Sequence, residues 1–226
     1  MFVYADPVSY WDHRKPVHRT RAVDADEIGR TAAALLDAGG LRALTVRAVA
    51  GRLNVAPASL YSRVSSVDDL FDLGLDHALG ADPAMRHAVD TCELTDLMLA
   101  YHAHLTRHGW ACLVIGMRAP MGPHYLRLSE RMIALLDELG APDPLSAAYT
   151  LANFTLGSAL TQPMAPSERA APVDAEIAPR YARLHTEHPV DTDAVFRSGL
   201  TALTRTALTR DDTDGAGHGG ARQGPR

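Results

Sequence analysis

The side chains best placed to do chemistry lie between positions 45 and 63: Thr45, Arg47, Pro57, Ala58, Ser59, Tyr61, Ser62 and Arg63. That chemistry is recognition, not catalysis. Hydroxyl and guanidinium groups donate to phosphate oxygens, and small side chains let a backbone come close to base edges. Thr45, Arg47, Tyr61 and Arg63 are the phosphate candidates. Ala58, Ser59 and Ser62 are the base-edge candidates, with Pro57 setting the approach. A second constellation is formed by histidines. His104 and His108 stand at i and i+4 on one helical face and could ligate a metal with Cys112 or His124, whereas His102 and His104 diverge. No glycine-rich phosphate loop follows a strand, and no serine sits in a nucleophile elbow. An enzyme with an unrecognised helical site is the remaining reading, and no cofactor is expected.

Presenting the first group takes two short helices and a sharp turn. Val46, Val49, Ala50 and Leu53 recur at i, i+3, i+4 and i+7, one apolar stripe, with Thr45 as its N-cap. Asn54 tolerates the left-handed conformation that ends a helix. Pro57 suits the first turn of a second helix, on which Leu60 and Val64 face back toward the first. The pattern is a helix-turn-helix. Ahead of it, Asp24 to Ala38 reads as a support helix, with Ile28, Ala32, Leu35 and Leu36 buried and Gly39-Gly40 ending it. Behind it, Ser65-Ser66 caps a helix whose Val67, Leu70, Phe71, Gly74 and Ala78 share a face.

From Asp24 to Leu79 these features together resemble the DNA-binding domain of the tetracycline-repressor (TetR) family of bacterial regulators. The resemblance rests on Gly39-Gly40-Leu41, Leu44-Thr45-Val46-Arg47, Leu53-Asn54-Val55 and Ser59-Leu60-Tyr61. It departs at Asn54, where the family usually has glycine, and at Val67, where it usually has a lysine that meets a phosphate. The resemblance implies an all-α protein. A three-helix helix-turn-helix domain, residues 24–80, would precede a larger helical ligand-binding and dimerisation domain, residues 81–210. It implies a homodimeric regulator, foremost a repressor, that leaves a palindromic double-stranded DNA operator when a small apolar or aromatic molecule binds. The metal-sensing regulator built on His104 and His108 is the alternative.

The second domain shows helical periodicity near 84–90, 94–108, 111–118, 122–140, 144–162, 173–187 and 191–210, with Gln162 to Pro172 expected as a loop because of its prolines. The family's dimer interface maps onto the last two long helices. Its candidates are Leu151, Gly157, Phe196, Gly199, Leu200 and Leu203, and the competing assignment for these stripes is the subunit's own core. A ligand pocket between the middle helices would draw on Leu97, Tyr101, His104, Trp110, Met117, Met121, Tyr125, Phe154 and Met164.

Composition agrees. The net charge is −5, yet residues 1–64 carry nine Lys plus Arg against six Asp plus Glu, which leaves thirteen against twenty-one for the rest. A basic front and acidic rear orient a protein toward phosphates. Two cysteines are too few for a disulfide framework, and no stretch has the length of a signal peptide core or a membrane span. The cytoplasm is expected. Residues 1–23 carry Pro7, Pro16 and a basic run without period, either an arm reaching a minor groove through Arg19 and Arg21 or a disordered leader. Residues 211–226 are expected as a disordered tail.

Overall fold

The computed structural model describes residues 9–13 and 23–209, and within these every regular element is helical. Helix α1 (Ala25–Gly39) is followed by a 3-10 turn over Leu41–Ala43, then α2 (Val46–Arg52) and α3 (Pro57–Leu60). The connecting helix α4 (Val67–Ala81) leads to α5 (Pro83–Thr91), α6 (Leu94–Arg107), α7 (Gly109–Met117), α8 (Pro123–Glu138) and α9 (Pro144–Thr161). Short α10 (Ala165–Ala170) and α11 (Pro179–Glu187) precede α12 (Thr192–Ala207).

Two glycines set how α1 meets α4. A Cβ on Gly29 would press on the Leu73 carbonyl oxygen, and one on Gly74 would press on Leu36, Ala32 and the backbone of Ala33. With hydrogen at both places the helices cross closely enough to bury Ile28, Ala32, Leu36, Leu70 and Leu73 together. In the second domain α9 is central and packs on α6, α7, α8 and α12. Its inward residues Ala148, Leu151, Thr155 and Ala159 meet Phe196 and Leu200 of α12 in a shared core.

Three expectations change. The loop Gln162 to Pro172 holds a 3-10 turn over Gln162–Met164 and then α10, because Pro163 and Pro166 occupy first-turn positions where proline's missing N–H costs nothing. The helix expected over 173–187 starts only at Pro179. Before it, the Asp174 carboxylate accepts the backbone N–H groups of Glu176 and Ile177, a local turn that competes with the helix. Third, part of the N-terminal arm is ordered. Ser9–His13 form a capped 3-10 turn against α4, with Tyr10 buried. Arg19 and Arg21, and the expected tail from 211, lie outside the described residues.

Candidate nucleic-acid interface

The α2-turn-α3 unit forms by local rules. Thr45 caps α2, its hydroxyl accepting the Ala48 N–H at 3.0 Å. Asn54 has φ 53°, and α2 closes with Val55 N–H donating to the Ala50 carbonyl (3.0 Å) and Asn54 N–H to that of Gly51 (3.2 Å). This paired closure is a Schellman motif, which demands a left-handed residue at that one position. Pro57 stands at the start of α3, and Leu60 and Val64 are fully buried beneath it. With those two facing inward, Pro57, Ala58, Ser59, Tyr61 and Ser62 face solvent, as do Thr45 and Arg47 on α2. Tyr61 is 55% exposed. Arg63 differs from its neighbours. It is half-buried, and its Nε is enclosed without a hydrogen-bond partner. Its outer nitrogens are therefore the ones available to a phosphate. Val67 packs partly into the core, so an aliphatic residue there serves α4's seating.

Three polar ties join α1 and α4 to the second domain. Asp37 on α1 accepts from His108 Nδ1 (2.7 Å) and Trp110 Nε1 (2.6 Å) at the α6–α7 corner. On α4, the buried Asp72 carboxylate faces the buried Arg118 guanidinium, with Nε to Oδ1 at 2.8 Å and Nη2 to Oδ2 at 3.1 Å. The same Oδ2 accepts the Tyr10 N–H at 2.9 Å, so the N-terminal turn and the second domain converge on one side chain. Nearby, Asp69 meets His13 Nε2 at 3.0 Å. One helical turn on, Asp76 Oδ1 accepts the N–H groups of His124 (2.8 Å) and Tyr125 (3.2 Å), capping α8 from outside. Sequence reasoning missed these ties. Their signal was Asp69, Asp72 and Asp76 at spacings of three and four inside an otherwise apolar helix.

The histidine pair is close but engaged elsewhere. The His104 and His108 rings lie 4.8 Å apart, while His104 Nδ1 binds Asp82 Oδ2 at 2.9 Å. An acceptor-only carboxylate assigns the proton to Nδ1. Burial lowers the pKa of His104, and the bond to Asp82 works against that shift. Among the described residues no group of three His, Cys, Asp or Glu side chains is placed to hold a metal ion. Cys112 is buried with its thiol pushed up by burial, and His124 belongs to the α4–α8 contact. The metal-sensing set is thus not brought together.

The ligand candidates separate into two groups. Leu97, Tyr101, His104 and Trp110 are buried core residues. Met117, Met121 and Met164 are exposed, while Tyr125 and Phe154 are half-buried. Met121 and Tyr125 line one small cavity of about 10 Å³ with Trp11 and Asp72. The dimer candidates also divide. Leu151, Phe196 and Leu200 lie in the subunit's own core, and a Cβ on Gly199 would overlap the Phe154 ring, so Gly199 admits α12 to α9 of the same chain. Gly157 is exposed with open space at its Cβ, and Leu203 is half-buried. What α9 turns outward is Leu145, Tyr149 and Leu160, in register with Gly157, and α12 adds Val195.

Comparison with known proteins agrees with this arrangement. Residues 28–72 match the model of bacterial regulatory proteins of the tetR family, and residues 93–205 match the Tetracyclin repressor-like C-terminal domain. An HTH-type transcriptional regulator of Saccharopolyspora erythraea is 34% identical over 160 residues, covering 67% of this chain and 66% of that protein. The HTH-type transcriptional repressor DrrR1 of Streptomyces coeruleorubidus is 29% identical over 165 residues, covering 67% and 59%. The chain thus spans less than two thirds of both relatives' lengths, 66% and 59%. The Streptomyces coelicolor TetR family protein ActR in complex with (S)-DNPA superposes with a TM-score of 0.67 at 26% identity, covering 82% of this chain and 97% of that one. A capped α2, a left-handed turn, an exposed α3 and a helical second domain, together with both family models, establish that this chain belongs to the TetR family of bacterial transcriptional regulators.

Proposed function

We propose that this protein is a homodimeric repressor that binds a palindromic DNA operator through α3 and is released by a small effector held in its second domain. The observation that carries the reading is the orientation of α3 and the turn that follows it: Leu60 and Val64 are fully buried, while Ala58, Ser59, Tyr61 and Ser62 all face outward. A helix this short, presenting small and hydroxylated side chains, fits the major groove. Tyr61, Thr45, Arg47 and the outer nitrogens of Arg63 hold phosphates, and Ala58, Ser59 and Ser62 meet base edges. The cytoplasm, where operator DNA lies, is the compartment this reading requires.

Dimerisation is assigned to the outward face of α9, with Leu145, Tyr149, Gly157 and Leu160, together with Val195 of α12. The absence of a side chain at Gly157 allows a partner helix to come close. For the effector, ActR is the available guide, since that protein has been crystallised with (S)-DNPA and with actinorhodin. An aromatic compound among α6, α7, α8 and α9 is the corresponding proposal here, entering past the exposed Met117 and Met121 toward Tyr125 and Phe154. Effector binding then favours a domain arrangement in which two α3 helices no longer match successive grooves.

The test is titration of duplex DNA flanking the protein's own coding region, followed by fluorescence anisotropy at several salt concentrations. Tyr61→Ala weakens binding to every sequence alike, whereas Ser59→Ala changes which sequence is preferred. Salt-independent binding, or none, defeats the proposal.

A further inference from the structure

A cavity is formed where α1, α4, the start of α8 and the N-terminal turn meet. It has a volume of about 200 Å³ and shares Trp11 and Asp76 with the small space beside Met121 and Tyr125. Two carboxylates, Asp26 and Asp76, line it with Trp11, His77 and His124, and among the described residues no lysine or arginine is part of its wall. Its remaining surface is Ala25, Gly29, Leu73, Gly80 and Ala81, mostly small residues that leave the space open.

Asp76 is the centre of the argument. It is 6% exposed, and its two hydrogen bonds, from the backbone N–H groups of His124 and Tyr125, both fall on Oδ1. Its Oδ2 has no hydrogen-bond partner among the described residues. Burial pushes this carboxyl above its ordinary range even though both N–H groups, His124 and Arg127 oppose the shift. Arg127 lines the neighbouring cleft with His124, not this one. A buried carboxylate with one oxygen free favours a cation over a neutral group or an anion. His77 does not supply that charge, since burial lowers its pKa and keeps the ring neutral near pH 7. Trp11 also lines the cavity, and an indole is the strongest of the aromatic side chains for contact with a cation. The indole N–H of Trp11 is itself buried without an acceptor among the described residues.

We infer that the cavity between α1, α4 and α8 is a binding site for a small organic amine, its ammonium group on Asp76 Oδ2 with Asp26 nearby and its apolar body against Trp11. The volume equals that of about seven liquid waters, room for a single ring with a short aminoalkyl chain. The site joins α1 of the DNA-binding domain to α8 of the second domain. Binding itself does not depend on the protein's touching DNA, so this inference and the repressor reading fail separately.

The experiment uses the full chain with three probes of one shape: 2-phenylethylamine, 2-phenylethanol and phenylacetate. Binding is measured by calorimetry and by Trp11 fluorescence in the Trp110→Phe background, since the chain has two tryptophans. The amine is expected to bind at least about tenfold tighter than the alcohol, with phenylacetate weakest, and to change Trp11 emission. Asp76→Asn keeps an oxygen to cap α8 but removes the charge, and it lowers amine affinity roughly tenfold while leaving the alcohol unaffected. Asp26→Asn, on an exposed side chain, weakens the amine less. Equal binding of the three probes, binding of none of them to folded wild-type protein, or unchanged amine affinity in Asp76→Asn overturns the inference.

Discussion

Replacing Arg118 with methionine removes the cation from a buried pair and keeps most of the side-chain volume. Both members are buried, and the two hydrogen bonds between them measure 2.8 and 3.1 Å. Stranding one charge of such a pair costs about 3–5 kcal/mol, far more than the pair's net contribution. Asp72 is not fully stranded, because Oδ2 keeps the Tyr10 N–H at 2.9 Å and the weaker Ser9 hydroxyl at 3.4 Å. That places the loss near the low end, about 3 kcal/mol. The second contact of Arg118, to the exposed Asp68 at 3.2 Å, adds less than about 1 kcal/mol. A loss of that size lowers the melting temperature by about 6–12 °C in a protein of this length. Urea unfolding followed by circular dichroism, at one fixed protein concentration, measures it. The double variant Asp72→Leu/Arg118→Met recovers most of the loss, because no charge is left buried. If Arg118→Met lies within about 1 kcal/mol of wild type, or the double variant is worse than the single one, the view of this pair as the junction between α4 and the second domain is refuted.

Three further outcomes follow from the same contacts. Burial lowers the pKa of His102, whose ring stacks 3.9 Å from Phe196, so the unfolded chain takes up the proton first and stability falls as pH drops below about 6.5. His102→Phe keeps the stack and makes that fall shallower by at most about 1.4 kcal/mol per pH unit, read from urea midpoints between pH 7.5 and 5.5. Asn54→Val forces a β-branched residue into the left-handed turn and costs about 1–2 kcal/mol, whereas Asn54→Gly is tolerated, as paired unfolding curves will show. Leu160→Glu on the outward face of α9 is expected to shift the protein from dimer to monomer in sedimentation while leaving its helical content unchanged.

What the sequence disclosed follows the range of the interactions involved. Thr45, Asn54 and Pro57 act on backbone groups within a few residues, so the helix-turn-helix could be read from spacing alone. Periodicity likewise identified the apolar stripe of α12, but a stripe does not state what it faces. Leu151, Phe196 and Leu200 pack within one subunit, and the outward set was recognisable only once those were placed. Polar residues were harder still. His104 finds Asp82 22 positions away and His108 finds Asp37 71 positions away, distances at which no local pattern operates. The ordered Ser9–His13 turn escaped for the same reason, since its partner Asp72 lies more than sixty residues on.

Selection of bound duplexes from a random library by the purified protein tests the central claim most directly. The account predicts enrichment of an inverted repeat whose half-sites lie about one helical turn, roughly 34–36 Å, apart, as two copies of α3 related by a two-fold axis require. Ser59→Ala should shift the preferred bases within each half-site and leave their spacing intact. Recovery of sequences with no shared motif, or of a single unpaired half-site, would contradict it.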